Sequence, residues 1–369
     1  MRNNPTETAE KVIAKYRRTA QLAADKGILP YRSADGQWIG SPFANNGWWT
    51  GGFWPGLMWQ LYHAAGDELF YREALRTEKL LTEEFRVFRS LHHDVGFMYL
   101  LSCGAHHKLM GDEQAGMDTL HAASILMSRY NPAGYICAWN GKSKMGYAII
   151  DCMMNLPLLF RATRETGDPR FAKTACLHAD RVMKEFPRAD GSVAHIVEFD
   201  PYTGARVGEV AGQGYALGSS WSRGQAWGLY GFTLAYLNTE DPRYLEMAEQ
   251  IARYFIAHIR EDGLTDSDFC QPEGEERIDN LAGAIAACGL IELAKAAQKP
   301  LYLEQAQRLL DGIIDHCCDF GDRFCGVLTH CTASYHDDGA GRHTNIVYGD
   351  YFFMEALAKL NENDPMLWI

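Results

Sequence analysis

A short repeated pattern of turn, aromatic and alanine residues limits the folds open to this chain more than any other feature. In each copy an aromatic residue follows the turn residue by three positions and an alanine follows it by seven. Every copy lies between an apolar helical run and an amphipathic one, where the second helix of a hairpin would begin. The copies are Asp67-Phe70-Ala74, Asp168-Phe171-Ala175, Asp241-Tyr244-Ala248 and Lys299-Tyr302-Ala306, with a degraded copy near Gly111-Asp112.

The helical runs around these turns are of two kinds. From Leu245 to Ile259 the apolar residues fall on one face, as in an outer helix with one buried stripe. Leu281 to Ala297 is apolar nearly all round for its first three turns, which is typical of a helix buried on both sides. Two concentric rings of helices follow from this alternation.

Six hairpins of roughly 60 residues each would use up the chain, which has no Pro/Ser-rich linker. We therefore predict an all-α fold, an (α/α)6 barrel that forms one domain over residues 1–369. An open helical solenoid is the alternative, because the repeat alone does not show that the ring closes.

Charge and cysteine content limit the partners and the compartment. The net charge is −12, with 35 Lys and Arg against 47 Asp and Glu, and no basic run carries interleaved aromatics, so we expect no nucleic acid partner. Residues 1–14 lack an apolar signal core, and no stretch offers about 18 uninterrupted apolar residues, so we expect no membrane partner. Ten cysteines, several in apolar helical patterns, favour buried thiols and a cytoplasmic location. The oligomeric state is left open.

Segments rich in glycine and aromatic residues lie between the helical runs. Tryptophan beside glycine in a loop suits a cleft in which flat sugar faces stack on rings. The alternative is that these rings only plug the ends of the barrel. Six of the nine tryptophans lie in such segments or at their edges: Trp48, Trp49, Trp54, Trp139, Trp221 and Trp227.

Three polar residues in these segments have ordinary structural explanations when each is taken alone. Asp94, before Val95-Gly96, suits a turn aspartate that binds its own backbone. Asp151, after an apolar run, suits a helix N-cap, and His195 suits a structural histidine. Asp94 and Asp151 indicate acid–base chemistry only as a pair that faces one cleft, where one carboxyl group is protonated and the other ionised.

The other histidines and glycines show no metal or cofactor motif. His330, His336, His343 and the His92-His93 pair lack the spacing of a helix-borne or finger-type metal site. Gly212 to Gly218 follows no strand–turn–helix pattern and lacks Gly-Lys-Ser/Thr. We therefore predict neither a bound metal nor a cofactor.

Six short strings occur along the chain: WTGGFW at 49–54, HHDVGF at 92–97, IIDC at 149–152 with NLP at 155–157, WSRGQAWG at 221–228, SYH at 334–336 and GDYF at 349–352. In this order they resemble the unsaturated glucuronyl hydrolases of glycoside hydrolase family 88. Each string alone is weak evidence for this family, whereas six strings in the family's order over most of the chain are specific to it.

The resemblance implies an (α/α)6 barrel that acts on fragments released by polysaccharide lyases. Such fragments end, on the non-reducing side, in a uronate with a C4–C5 double bond. In that family a carboxylic acid protonates C4 and water adds at C5, after which the hemiketal opens and expels the neighbouring sugar. The implied partner is therefore a di- or oligosaccharide that ends in an unsaturated uronic acid, and the implied enzyme is a glycoside hydrolase.

The resemblance also assigns roles to residues. Asp151 matches the general acid and base, and Asp94 matches a second essential aspartate that binds and positions the substrate. An ionised carboxylate nearby would raise the pKa of the acid, as protonation near neutral pH requires. Substrate contacts are implied for Trp49, His93, Trp139, His195, Gln213, Arg223 and Trp227. Among these, Arg223 and Gln213 are candidates for the carboxylate and hydroxyl groups, and the tryptophans for stacking.

One departure from the family pattern bears on the substrate. Members that favour sulfated disaccharides resemble a Ser-x-x-Ser-x-Lys pattern, in which Asp337 and Gly339 here replace the second serine and the lysine. Because Asp337 and Asp338 would repel sulfate, we predict unsulfated or differently sulfated substrates, unless Arg342 or His343 supplies the missing charge.

Three alternatives remain beside this function. Unsaturated rhamnogalacturonyl hydrolases share the barrel and the chemistry but act on pectin fragments, and the intact HHDVGF string favours the glucuronyl family. A sugar epimerase on such a barrel would need paired histidine bases. A non-catalytic sugar-binding toroid would leave Asp94 and Asp151 as turn and cap residues.

Overall fold

The chain folds into α-helices joined by turns, short strands and 3-10 turns. The structure is a computed structural model that describes residues 1–42 and 45–369. In chain order the α-helices of these residues are α1 (Pro5–Asp25), α2 (Phe53–Ala65), α3 (Glu68–Thr82), α4 (Glu84–Val87), α5 (Val95–Tyr99), α6 (Cys103–Met110), α7 (Glu113–Ser128), α8 (Leu156–Thr166), α9 (Pro169–Glu185), α10 (Ser222–Thr239), α11 (Pro242–Ala257), α12 (Asn280–Ala297), α13 (Pro300–Cys317) and α14 (Val347–Leu360).

The strands are short and form three small antiparallel sheets. The largest sheet has the order β5-β6-β7 and joins two segments that are distant in the chain. The backbone N–H of Ile150 donates to the carbonyl of His195 at 3.0 Å, which places Asp151 next to His195. The strands are β1 (Arg32–Ala34), β2 (Gln37–Ile39), β3 (Tyr130–Asn131), β4 (Tyr135–Ile136), β5 (Tyr147–Ile149), β6 (Ile196–Phe199) and β7 (Arg206–Val210).

The repeated turn residue is the residue before the second helix of each hairpin. Asp67, Asp112, Asp168 and Asp241 each accept a backbone N–H from the first turn of α3, α7, α9 or α11. Such a cap satisfies an N–H that the helix itself leaves unpaired. Lys299 cannot accept such a bond, but Pro300 removes one unpaired N–H at the start of α13. The aromatic and alanine positions of the four full copies are buried.

The hairpins close into a ring. Each outer helix packs on its inner partner, and α1, from the start of the chain, packs on α14 from its end. The inner positions are taken in turn by α2, α5 with α6, α8, α10, α12 and α14, and α14 then contacts α2. This last contact excludes the open solenoid, and the predicted (α/α)6 barrel is confirmed.

Helix α12 is apolar on all sides because helices surround it. It contacts α10, α11, α13 and α14. Among the described helices it is the one whose length and composition would allow it to cross a membrane, yet 78% of it is buried inside the protein. Burial in the core accounts for its composition.

All ten cysteines of the chain are free thiols, and most of them are buried.

The capping role of the repeat can be tested at its degraded copy. Asp112 accepts the N–H of Ala115 at 2.8 Å and forms no ion pair among the described residues. We expect Asp112→Ala to lower the free energy of unfolding by about 1 kcal/mol, and Asp112→Asn to lower it much less because asparagine also caps. Urea unfolding of both variants measures this difference. Equal destabilisation by the two changes would contradict the capping role.

Candidate active site

A cavity of about 440 Å³ lies at the end of the barrel where the inner helices begin. The segments that lead into α2, α5, α8, α10 and α14 form its walls. The N-termini of these helices direct partial positive charge toward this end, which favours an anionic ligand despite the net charge of −12. The lining residues are Tyr31, Trp48, Trp49, His92, His93, Asp94, Trp139, Ile149, Asp151, Gln213, Ala333, Ser334 and Tyr348.

A larger cavity, of about 770 Å³, lies at the opposite end, where α12 and α14 finish and α13 begins. Its buried ammonium group, Lys359, already pairs with Glu292 at 3.0 Å and with Asp364 at 2.5 Å. None of the predicted site residues lies there. The predicted chemistry therefore belongs to the smaller cavity.

Most of the predicted site residues line the smaller cavity, and the others lie directly behind its wall. Lining residues that the sequence did not single out as contacts are Tyr31, Trp48, His92, Ile149, Ala333, Ser334 and Tyr348. His92, Ile149 and Ser334 belong to the six strings, whereas Tyr31 carries no such signal. The predicted residues on the lining are Trp49, His93, Asp94, Trp139, Asp151 and Gln213.

Asp94 and Asp151 face the same cavity and are linked through Asn155. The side-chain amide of Asn155 lies 3.4 Å from Asp94 Oδ1 and 3.2 Å from the backbone carbonyl of Asp151, and it donates to both. Its oxygen accepts the N–H of Phe97 at 2.7 Å. Neither aspartate caps a helix with its side chain. The separate turn and cap explanations of Asp94 and Asp151 are therefore wrong, and the paired arrangement remains.

The two carboxyl groups have opposite protonation preferences. Burial, reinforced by the charge of Asp94, raises the pKa of Asp151 from 3.8 to about 8, so this carboxyl group carries a proton at neutral pH. Burial also opposes ionisation of Asp94, but His93, His92 and Asn155 outweigh it and hold the pKa of Asp94 below its ordinary value. The cavity thus holds one proton donor and one anion, the division that acid catalysis requires.

His92 and His93 stack beside Asp94 with ring centroids 5.2 Å apart. His93 Nδ1 lies 2.6 Å from the carbonyl of Ala138 and donates to it, since a carbonyl only accepts. His92 Nδ1 and His93 Nε2 lie 3.3 and 3.1 Å from the carboxylate of Asp94. Each of these three residues places one potential metal-ligating atom within 4.8 Å of the other two. The spacing of the residues in the sequence did not indicate this cluster. The absence of a metal therefore stays a prediction.

His195 lies against Asp151. Its Nε2 is 3.6 Å from Asp151 Oδ1, and its Nδ1 accepts the backbone N–H of Gln213 at 3.0 Å. Burial, together with the charge of Arg223, lowers the pKa of His195 to about 3, so the ring is neutral at pH 7. His195 is therefore a neutral neighbour of the proton donor rather than a second charge.

Arg223 lies behind the wall of the cavity, and its side chain is 1% exposed. Its guanidinium forms a buried ion pair with Asp279 and donates to the carbonyls of Thr332 and Ala333 at 2.7 and 2.6 Å. It also stacks on Trp221, with 4.5 Å between the guanidinium carbon and the ring centroid. The structure therefore shows Arg223 supporting the lining segment, with its charge acting from behind, and not the expected direct contact.

The six loop tryptophans divide evenly between the cavity and the core. Trp227 is fully buried and packs against Phe97 and Phe352. Because a sugar cannot stack on a ring without an exposed face, the structure places Trp227 beneath the cavity and corrects its expected stacking role. Three of the six line the cavity, namely Trp48, Trp49 and Trp139, whereas Trp54, Trp221 and Trp227 are buried in the core.

A helical barrel with a tryptophan-walled cavity and a pair of buried carboxyl groups is the arrangement expected of a carbohydrate-active enzyme. The chain belongs to glycosyl hydrolase family 88, whose family model matches residues 30–359. Both the resemblance deduced from the six strings and the assignment as a glycoside hydrolase are confirmed by this match.

Known members of this family are similar over nearly the whole chain. The unsaturated glucuronyl hydrolase of Bacillus sp. (strain GL1) is 37% identical over 335 residues, which cover 87% of this chain and 88% of that protein. An unsaturated chondroitin disaccharide hydrolase of Streptococcus pneumoniae is 34% identical over 342 residues, with 89% and 85% covered. The crystal structure of the Bacillus sp. GL1 enzyme superposes with a TM-score of 0.91 at 33% identity and covers 99% of this chain and 98% of that one.

The protonation of Asp151 can be measured without a substrate. We expect its carboxyl group to titrate at about pH 8, and Asp94→Asn to lower this pKa by about 1 to 2 units because a like charge is removed. Carbon-13 NMR of labelled aspartate, with Asp151→Asn for assignment, measures both values. Asp200→Asn, at a surface turn, should leave the titration unchanged. An Asp151 that titrates near 4 would contradict the proposed proton donor.

Proposed function

We propose that this enzyme releases 4,5-unsaturated glucuronic acid from the non-reducing end of lyase-generated glycosaminoglycan-type oligosaccharides by hydrating the double bond. The observation that carries the proposal is the buried pair of Asp151 and Asp94 in one cavity, where burial and Asp94 raise the pKa of Asp151 and neighbouring groups hold the pKa of Asp94 below its ordinary value. Related enzymes support the substrate class: one solved structure holds dGlcA-Glc-Rha-Glc, and one from Streptococcus agalactiae holds dGlcA-GalNAc6S.

In the proposed reaction Asp151 acts first as an acid and then as a base. Its proton moves to C4 of the unsaturated uronate, which leaves positive charge on C5 and the ring oxygen. Water adds to C5 and gives a proton back to the Asp151 carboxylate. The hemiketal then opens to a ketone at C5, and the hemiacetal left at C1 expels the neighbouring sugar. Asp94 stays ionised throughout and keeps the pKa of Asp151 high enough for the first step.

Neutral donors and aromatic faces are assigned to substrate binding. Trp49 and Trp139 are only partly buried on the cavity lining and can stack on the sugar rings. The lining has no lysine or arginine in the described part of the chain, so the uronate carboxylate is assigned to Gln213 and Ser334, with the charge of Arg223 behind them.

The loop that follows Ser334 favours an unsulfated neighbouring sugar. Arg342 lies 3.7 Å from Asp338 and 3.8 Å from Glu275, and both carboxylates also pair with Arg277 at 2.7 Å. The two arginines are thus balanced by two carboxylates, and the cluster has no excess positive charge. His343 accepts the N–H of Ile278, and burial together with the charge of His330 lowers its pKa to about 4, which keeps it neutral at pH 7. Neither residue supplies the charge that a sulfate group would need.

The activity is tested with unsaturated disaccharides from hyaluronan, chondroitin, heparin and rhamnogalacturonan. We expect loss of ultraviolet absorbance of the conjugated uronate on the glucuronyl substrates, and a kcat for Asp151→Asn that is lower by about 10²- to 10⁴-fold. The rate should fall as pH rises through about 8, because Asp151 then loses its proton. Asp200→Asn serves as the control and should keep full activity.

The possible outcomes separate the alternatives. No loss of absorbance on any substrate would reject the hydration reaction, and would leave the epimerase or the non-catalytic barrel. Loss on the rhamnogalacturonan fragment alone would replace the proposed substrate by pectin fragments. Full activity of Asp151→Asn would reject its role as the acid.

The preference against sulfate is tested separately at the loop that follows Ser334. We expect the double variant Asp337→Ser with Gly339→Lys to gain about tenfold in kcat/KM on a sulfated disaccharide, since it adds a positive charge and removes a negative one. The same variant should change little on the unsulfated disaccharide. Comparison of the two substrates with both proteins measures the effect, and an unchanged ratio would count against the assignment.

A further inference from the structure

His195 is held in one protonation pattern by the backbone beside it. Its Nδ1 lies 3.0 Å from the backbone nitrogen of Gln213. A backbone N–H can only donate, so Nδ1 accepts this bond, which favours the proton on Nε2; the backbone of Ala211, at the same ring, acts in the opposite direction by favouring a protonated nitrogen. Because Nδ1 accepts, the neutral ring has its proton on Nε2, the nitrogen that points toward Asp151.

Nε2 of His195 and Oδ1 of Asp151 are both buried and have no hydrogen-bond partner in the described part of the chain. They are 3.6 Å apart, which is too long for a direct hydrogen bond. A water molecule about 2.8 Å from each atom could bridge them, accepting from Nε2–H and donating to Oδ1. This position lies beside the carboxyl group that the proposed reaction uses to accept a proton from water.

Gly212 allows the backbone to approach the ring so closely. Its φ is +64°, and a Cβ atom at this position would lie 2.0 Å from His195 Nδ1. A side chain here would therefore displace either the imidazole or the N–H of Gln213 that binds it.

Gln213 also holds the part of the cavity wall that contains Ala333 and Ser334. The Gln213 side-chain amide donates to the carbonyl of Ala333 at 2.6 Å, and the Gln213 carbonyl accepts the N–H of Tyr335 at 2.9 Å. The segment that orients His195 is thus tied to the segment that carries Ser334.

We propose that Gly212 and the backbone N–H of Gln213 are positioning elements that keep the proton of His195 on Nε2, so that His195 and Asp151 together hold the water that adds to C5. The inference rests on the proposed function of Asp151. In the reaction the proton on Asp151 Oδ2 goes to C4, and the bound water forms its bond to C5 as its proton moves to Oδ1. His195 keeps its own proton throughout.

Two glycines of the same loop provide a matched pair for the kinetic test. Gly212 and Gly218 both have positive φ, but a Cβ at Gly218 would meet nothing within 4 Å. We expect Gly212→Ala to lower kcat by about 10- to 100-fold because the water loses its position, and to raise KM as well because Gln213 also faces the substrate. Gly218→Ala, which carries the backbone strain alone, should stay within about threefold of the parent. Equal effects of the two changes, or an unchanged kcat for Gly212→Ala, would overturn the proposal.

Two amide variants of His195 test which ring nitrogen matters. Glutamine places an N–H donor near the position of Nε2, whereas asparagine reaches only that of Nδ1. We expect His195→Gln to keep about tenfold more kcat than His195→Asn. The reverse order would contradict a donor role for Nε2.

The protonation pattern itself is read without a substrate. Nitrogen-15 NMR of histidine-labelled protein, assigned by the signal lost in His195→Gln, should show neutral His195 with its proton on Nε2 at pH 7, and Gly212→Ala should change this pattern. A proton on Nδ1, or a charged ring at pH 7, would reject the inference. Because this spectrum needs no turnover, a failure of the proposed reaction would not affect it, and the two failures can be told apart.

Discussion

Closure of the helical ring brings the parts of the candidate site together. The inner helices of a closed (α/α)6 barrel all begin at one end, so the segments before them converge there whatever their separation in the chain. Trp49, before α2, meets Tyr348, in the first turn of α14, with ring centroids 5.0 Å apart. The link between Asp94 and Asn155 spans 61 residues in the same way. Without the contact between α14 and α2 these segments would not surround one cavity.

The chemistry of the cavity follows from how its buried charges are divided. Burial and Asp94 favour the protonated form of Asp151, and the nearby charge of Arg223 opposes them. Asp279 pairs with Arg223, which limits how strongly that cation can act on Asp151. Arg223 of this ion pair also donates hydrogen bonds to the backbone carbonyls of Thr332 and Ala333. One buried pair thus supports the wall of the cavity and leaves the acid protonated.

Local sequence predicts the role of a residue well when that residue type has few structural roles, and poorly when it has several. Aspartate at a turn usually caps a helix, and Asp112 and Asp241 do so, whereas Asp94 and Asp151 have the same local signals and cap nothing. Only the six family strings, in their order along the chain, distinguished Asp94 and Asp151 from the capping aspartates. Tryptophan beside glycine predicted a cleft, and Trp49 and Trp139 do line the cavity. Trp227, on α10, packs inward because the helix turns its ring toward Phe97.

Residue order was enough to predict the hairpins, their caps, the two kinds of helix and the family, because these depend on residues close together in the chain or on motifs in a set order. It also named both carboxyl groups. Folding is needed to show that the ring closes and that Asp151 is buried beside Asp94. It is also needed to show that Arg223 lies behind the cavity wall and that the backbone N–H of Gln213 binds Nδ1 of His195. Burial and approach between distant segments set pKa values and exposed faces, and neither is encoded in local spacing.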